Sequence, residues 1–151
     1  MGLFDAIDIS GSALSAERLR MDVTAENLAN ANTTRGANGA AYRRKVVVLE
    51  QQAGSAQNSF GNQLASAMSR GGGSKPGGVQ VAAIAEDTMP NRRVYDPGHP
   101  DADQEGYVSM PNVDSVTEMV DLISASRGYE ANVTAMQASK QIFSKTLDLL
   151  R

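Results

Sequence analysis

The sequence predicts a mainly α protein in which long N- and C-terminal helices pair as a coiled coil, with a small irregular β region inserted between them. Three features of the 151-residue chain predict this fold: an apolar repeat in its last third, a weaker repeat at its start, and β-branched segments between them. In both repeats the seam positions alternate four and three residues apart. That spacing places them along one side of a helix and is typical of coiled-coil packing.

The stronger repeat predicts one C-terminal helix over about residues 112–151. At about 1.5 Å per residue this helix would be roughly 60 Å long, which is too long to bury its stripe against one small compact domain. We therefore expect it to need a second long helix and neighbouring molecules. The predicted seam residues are Met119, Leu122, Tyr129, Val133, Met136, Phe143, Leu147 and Leu150.

A second, partial apolar stripe on the same helix predicts contact with more than one neighbour. It comprises Val113, Val116, Val120 and Ile123. Asn112 follows a proline and is the predicted N-cap of this helix. Asp114 is expected in its first turn, where the helix dipole favours a negative charge.

The start of the chain predicts the partner helix, from residue 3 to about residue 31. Small and polar residues interrupt its repeat, and Gly11 lowers helix propensity by about 1 kcal/mol relative to alanine. The predicted seam residues of this helix are Phe4, Ile7, Leu14, Met21 and Leu28. We expect the two ends of the chain to pair while the middle loops out.

The middle of the chain predicts short strands at residues 42–50, 79–86 and 92–96, where β-branched residues are frequent. Residues 53–78 are rich in Gly, Ser, Ala and Asn and predict a flexible loop. The predicted organisation is an N-terminal helix of an inner coiled-coil domain at 1–34, a β-containing outer region at 35–110 with its flexible loop at about 53–78, and the C-terminal helix of the inner domain at 111–151.

Composition argues against several classes of partner. The net charge is −3 without a basic block, so nucleic acid is not expected. The chain has no cysteine, which excludes disulfides and thiolate metal sites. The longest aliphatic run, residues 46–49, is far shorter than the ~20 residues that span a bilayer, so no direct membrane insertion is expected. The N-terminus also lacks the pattern of a signal peptide.

No catalytic, cofactor-binding or metal site is predicted. The single histidine, His99, lies in a Pro- and Gly-rich segment and is interpreted as a surface loop residue. Asp101, Asp103 and Glu105 match the first half of a calcium loop, but Asn112 stands where a bidentate glutamate is required. The basic cluster at residues 43–45 is interpreted as a solvated strand edge rather than a nucleic-acid patch.

The segment after the first helix carries a recognisable motif. It reads Asn27-Leu28-Ala29-Asn30-Ala31-Asn32-Thr33, followed by Gly36. This motif resembles the N-terminal signature of the bacterial flagellar axial proteins, which form the rod, the hook and the hook-associated parts. Most of that family places an aromatic residue directly after the glycine, whereas here Tyr42 is displaced by ANGAA. The displaced form is similar to the proximal-rod subgroup.

The C-terminal half resembles the same subgroup over longer stretches. These read Gly98-His99-Pro100-Asp101-Ala102-Asp103, then EGYV at 105–108, MPNVD at 110–114 and EMVDLISASR at 118–127. The resemblance covers roughly residues 1–50 and 95–151. It implies a structural subunit, not an enzyme, in the rod of the basal body where it crosses the periplasm.

The resemblance also implies partners and a route. These are export through the flagellar type III machinery, assembly with copies of itself and other rod subunits, and contact with the adaptor between the rod and the MS ring. Peptidoglycan is a further candidate contact. Asn27 and Asn30 are expected to end the first helix and to hydrogen-bond the turn. The alternatives are another axial rod subunit or a coiled-coil adaptor that does not polymerise.

Overall fold

The computed structural model describes residues 3–36, 39–52 and 77–149. The elements follow in the order α1 (Leu3–Ala29), β1 (Lys45–Gln51), β2 (Val79–Glu86), β3 (Arg92–Tyr95), β4 (Tyr107–Met110) and α2 (Ser115–Leu149). Long helices near both ends and a small β region between them are thereby confirmed. Coiled-coil pairing along the helices and the three-part domain division stay predictions. The predicted flexible loop lies, over residues 53–76, outside the described residues.

The described residues fall into two compact units. One unit contains residues 3–16, 49–52, 77–81 and 129–149. The other contains residues 17–48 and 82–128, apart from 37 and 38. The polar contacts around the buried side chains of Asn27 and Glu118 lie in this second unit.

Helix α2 begins at Ser115, and Asp114 is its N-cap. Oδ1 of Asp114 accepts a hydrogen bond from Val116 N at 3.2 Å, and Oδ2 accepts one from Thr117 Oγ1 at 2.7 Å. These bonds satisfy donors of the first turn and lower the pKa of the Asp114 carboxyl, chiefly through the Thr117 hydroxyl. The prediction of Asn112 as N-cap was wrong. Its side chain accepts from Arg44 N and donates to Met89 O instead.

The strands form two separate two-stranded sheets, β1 with β2 and β3 with β4. The β3–β4 pair is antiparallel, with Val94 opposite Val108 and Tyr95 opposite Tyr107. Strand β4 was not among the predicted strands. Gly106 precedes it with a φ of +82°, and a Cβ there would lie 3.0 Å from the Tyr95 ring, so only glycine fits without strain.

In the second unit, α1 and α2 touch at two levels. At the first level, the Asn27 amide nitrogen donates a hydrogen bond to the Glu118 carboxylate. At the other, a Cβ on Gly128 would lie 3.3 Å from Cδ of Glu17. From the first level to the second, the residue number falls by ten on α1, from 27 to 17, and rises by ten on α2, from 118 to 128. The two helices are therefore antiparallel here. Ala125 is fully buried, which shows how closely α2 is packed at this point.

In the first unit, the start of β2 is held against α1 by Ser12. Its hydroxyl donates to Ile9 O at 2.7 Å and accepts from Val79 N at 3.1 Å. Gly78 lies so close to this side chain that a Cβ there would be 2.2 Å from Ser12 Oγ. Close approach, rather than backbone conformation, therefore requires glycine at this position.

Candidate functional site

The most completely bonded polar side chain in the described part of the chain is Asn27, near the end of α1. It is 1% exposed. Its amide nitrogen donates to Lys45 O at 2.8 Å and to Glu118 Oε2 at 3.1 Å. Its amide oxygen accepts from Tyr42 OH at 2.9 Å and from Lys45 N at 2.9 Å. All four hydrogen-bonding positions of the amide are therefore used, which joins α1, β1 and α2 at one point.

The second fully buried polar side chain, Glu118, is also 1% exposed. Its Oε1 accepts a hydrogen bond from Arg44 Nε at 2.5 Å. The same guanidinium lies 3.2 Å from Asp121 Oδ2 and 3.8 Å from Asp87 Oδ2. Because a buried carboxylate is costly without a partner, this pairing is what allows Glu118 to lie between the two helices. We call Asn27, Tyr42, Arg44, Lys45 and Glu118 the junction.

The surroundings of the junction raise the pKa values of Arg44 and Tyr42. The hydrogen bond from Arg44 to Glu118 raises the pKa of the guanidinium, which is in any case always charged. Burial, with the nearby carboxylates Glu26 and Glu118, raises the pKa of Tyr42 to about 12. The Tyr42 hydroxyl therefore keeps its proton and acts as a hydrogen-bond donor to Asn27.

The interpretation of residues 43–45 as a solvated strand edge was wrong for two of them. Arg44 is held by three carboxylates, as described above. Lys45 pairs with Glu26 Oε1 at 2.5 Å, and its ammonium lies 5.8 Å from the Tyr42 ring centroid. Only Arg43 is exposed. Carboxylates that are distant in the sequence explain the difference: Glu26 on α1 pairs with Lys45, while Arg44 is paired with Asp87 after β2 and with two carboxylates on α2.

The other motif residues form the turn that follows α1. Helix α1 ends at Ala29, and the Asn30 side chain donates to Glu26 O and accepts from Thr33 Oγ1. Gly36 N donates to Ala40 O at 2.8 Å. Asn27 was expected to bond this turn as well, but its side chain points instead to β1 and α2. The burial of the site explains this, since a fully bonded amide lies between three elements.

The structure leaves much of the predicted seam at the surface. Met119, Phe143 and Leu147 are 53%, 40% and 50% exposed. The other seam residues whose side chains are described are partly exposed, namely Ile7, Leu14, Met21, Leu28, Leu122, Tyr129, Val133 and Met136. The side chain of Phe4 and the whole of Leu150 lie outside the described residues.

A different stripe of α1 is the buried one. Its most buried side chains are Ala16, Val23, Thr24 and Asn27. Ala16 and Val23 follow the predicted Leu14 and Met21 by two residues, which is about 200° around a helix. Sequence reasoning missed this stripe because alanine, threonine and asparagine carry no apolar signal. The available signal was the seven-residue spacing of Ala16 and Val23.

Three residues of the second predicted stripe on α2, namely Val116, Val120 and Ile123, are 54–69% exposed. The fourth, Val113, is half-buried and precedes the helix, so its place in the stripe was wrong. Met119 of the predicted seam is 53% exposed and completes a set that recurs at i, i+3, i+4 and i+7, so these four side chains share one side of the helix. Glu118 and Ala125, which face α1, lie on another side. Contiguous exposed apolar side chains of this kind are typical of interaction surfaces.

The residues weighed for catalysis or metal binding are engaged in structural hydrogen bonds and ion pairs. His99 Nδ1 accepts from Asp101 N, and Asp101 accepts from Thr34 and pairs with Arg35. Asp103 accepts from the amides of Tyr107 and Glu105 and from Arg93, and the first of these bonds contributes most to lowering its pKa.

Among residues 3–36, 39–52 and 77–149, no group of three or more His, Asp or Glu side chains is arranged to hold a metal ion. Neither helix, as far as it is described, is long and apolar enough to cross a membrane.

Comparison with known families places the chain in a class. Residues 7–37 match the family model of the flagella basal body rod proteins, and residues 104–149 match the C-terminal model of the flagellar basal body rod FlgEFG proteins. The first match contains most of α1 and the turn after it, and the second contains β4 and α2. The chain is thus of the flagellar basal-body rod class.

Individual relatives narrow the class. The chain is 49% identical to the flagellar basal-body rod protein FlgC of Bacillus subtilis, over 99% of both chains. It is 44% identical to FlgC of Yersinia enterocolitica, over 99% of this chain and 98% of the relative. It is 41% identical to FlgC of Borreliella burgdorferi, over 100% and 99%. The chain belongs to the FlgC family of flagellar basal-body rod proteins.

Family membership makes the chain a structural subunit of the basal-body rod and not an enzyme. It also implies self-assembly together with other rod components.

Proposed function

We propose that this subunit is exported by the flagellar type III pathway and assembles, by packing of its terminal helices, into the proximal part of the rod where the rod crosses the periplasm. There it transmits torque from the membrane ring to the hook. The single observation that carries the assembly mechanism is the exposed apolar face Val116–Met119–Val120–Ile123 on α2. Four large side chains on one side of a helix lose their contact with water only if another surface covers them.

The predicted seam offers further apolar side chains. Met119 belongs to both the seam and the exposed face, and in the other unit the seam residues Phe143 and Leu147 are 40% and 50% exposed. Half-buried residues such as Leu14 and Met21 on α1 offer a complementary stripe on a neighbouring copy. Interlocked side chains resist sliding, so a shaft built in this way would transmit rotation.

The proposed partners are other copies of the chain, other rod subunits, the adaptor between rod and MS ring, and the export machinery. Peptidoglycan is a further proposed contact. Partial exposure of the helices supports the export step, because isolated helices gain little stability without tertiary packing and can be unfolded for passage through a channel. Order would then be completed at the growing tip.

The junction has a separate part in this proposal. It ties the first strand to both helices, so a load on the β region reaches the helix pair through hydrogen bonds and an ion pair rather than through a loose hinge. Asn27 makes four of these bonds and Arg44 contacts three carboxylates. The angle at which the β region leaves the helices is thereby defined.

Two aspartate substitutions test the assembly surface. Val120→Asp places a charge on the exposed face, and Val133→Asp places one in the predicted seam. In cells that lack their own copy of the subunit, we expect neither variant to restore swimming or to enter purified basal bodies. Because Val120 is 61% exposed, its variant should keep the helicity of the wild type by circular dichroism.

Ser124→Asp is the matched control, since Ser124 is exposed on α2 but outside the apolar face. It should swim normally and be incorporated. Normal incorporation of Val120→Asp would overturn the proposed role of the exposed face. A stable dimer that never enters basal bodies would favour the alternative of an adaptor that does not polymerise.

A further inference from the structure

The two largest fully buried side chains in the described part of the chain are both polar, and they face each other across the helix pair. These are Asn27 on α1 and Glu118 on α2. The apolar side chains that are buried on the two helices are small, namely Ala16 and Val23 on α1 and Ala125 on α2. Small apolar side chains pack almost equally well after a shift along the helix, so they define the alignment of two helices weakly.

The present alignment brings Asn27 opposite Glu118 and Glu17 opposite Gly128. The two residue numbers of each pair add to the same value, which defines the register of an antiparallel pair. A shift by seven residues would keep similar faces together. Shifted in one direction, it would bring Asn27 opposite Ala125, which has no polar group in its side chain.

In the shifted arrangement the junction could not form. Asn27 would lose Glu118 as an acceptor, and Glu118 would move away from both Asn27 and Arg44, the residue that directly precedes β1. Leaving a buried carboxylate and a buried amide without partners costs far more than the small gain from packing. The cost falls on the wrong register alone, since the present register satisfies every hydrogen-bonding position of Asn27.

We infer that the Asn27–Glu118 pair is the register-determining contact of the terminal helices. A single buried polar position is known in coiled coils to select one register at a cost in stability. Here the pair does more, because Lys45 and Arg44 extend it to β1. The alignment of the two helices and the docking of β1 against them therefore form cooperatively. This inference concerns the folded chain and does not rest on the proposed assembly.

The absence of native cysteine makes disulfide trapping a clean test. The in-register reporter is Glu17→Cys with Gly128→Cys. A Cβ at residue 128 lies 3.6 Å from the Glu17 Cγ position, where the sulfur of a cysteine would stand, which is within disulfide reach. The shifted reporter is Thr24→Cys with Gly128→Cys, one heptad away on α1. It also carries Glu17→Ala so that the side chain at 128 has room.

Each reporter is oxidised at low protein concentration, and the intramolecular cross-link is measured by mass spectrometry of peptides. With the junction intact we expect the in-register product only. With Asn27→Leu and Glu118→Leu together, we expect the shifted product to rise by at least about tenfold, equivalent to about 1.4 kcal/mol of lost register preference. Arg18→Leu with Ser124→Leu adds the same leucines at exposed positions and should leave the products unchanged.

Circular dichroism of each variant shows whether it is folded. If the double leucine variant is not helical, Asn27→Ala is scored in the same way, because it removes the four bonds without adding a side chain. Exclusive in-register cross-linking in a helical junction variant would overturn the inference. So would a shifted product from the chain with its junction intact.

Discussion

Replacing Asn27 with alanine should destabilise the protein more than any other exchange of one polar side chain on α1. The change removes four hydrogen bonds of 2.8–3.1 Å that end on Lys45, Tyr42 and Glu118. We expect the free energy of unfolding to fall by roughly 4 kcal/mol, at about 1 kcal/mol for each bond. Small domains are stable by only about 5–15 kcal/mol, so the loss is a large share of the total.

The distribution of the lost partners supports this magnitude. Tyr42 is only partly buried, so its hydroxyl can turn to water, and Glu118 keeps Arg44. The amide and carbonyl of Lys45 lose the two bonds that the Asn27 side chain makes to them. Because two of the three partner residues keep or regain a hydrogen bond, the expected loss of unfolding free energy stays near the sum of four ordinary hydrogen bonds. It does not reach the larger penalty for buried polar groups that are left without any partner.

The measurement is urea unfolding at neutral pH, followed by circular dichroism, with the slope of free energy against urea as a check on two-state behaviour. Asn30→Ala is the matched control. Asn30 makes local bonds to Glu26 O and Thr33 and is partly exposed, so its loss should cost about 1 kcal/mol or less. An Asn27→Ala protein that unfolds within about 1 kcal/mol of the wild type would refute the assignment of Asn27 as the centre of the junction.

Two further predictions concern close packing and pH. Gly78→Ala should lower the free energy of unfolding by about 1–3 kcal/mol in the same urea assay, because the added Cβ would force the Ser12 side chain away. Adding Ser12→Gly should recover part of this loss. Gly11→Ala is the control and should not destabilise the protein, because no atom lies within 4 Å of the Cβ it would add. The pKa of Tyr42 is raised to about 12, so the neutral form is favoured in the folded state, and its contribution is complete below about pH 10 and declines as pH rises towards 12. The stability advantage of the wild type over Tyr42→Phe should therefore shrink across that range, and a constant difference would contradict the burial of the hydroxyl.

Several local features could be read from residue patterns alone because they depend on neighbours in the chain. Strand β2 covers Val79–Glu86 as predicted, and α1 ends within two residues of the predicted position, where Asn30 and Thr33 provide local bonds. The start of α2 was predicted three residues early, since Asn112 and Asp114 are both good caps. In the structure the Asn112 side chain accepts a hydrogen bond from Arg44 N, and Asp114 caps the helix instead.

The junction could not be predicted in the same way. Glu118 and Arg44 are 74 residues apart, and a carboxylate on a helix is normally a surface group. The buried stripe of α1 was equally hidden, because Ala16, Thr24 and Asn27 have neither the size nor the polarity pattern of a core. Close helix approach, not hydrophobicity, is what buries them.

The sequence by itself determined that this chain has long helices near both ends, a β region between them, and membership of the flagellar rod family, since periodicity and motifs are properties of the order of residues. The tertiary structure alone decided which sides of those helices turn inwards. Burial depends on which distant groups can satisfy one another. Asn27 and Glu118 lie inside because Lys45, Tyr42 and Arg44 complete their bonds, while the apolar face of Val116, Met119, Val120 and Ile123 remains at the surface.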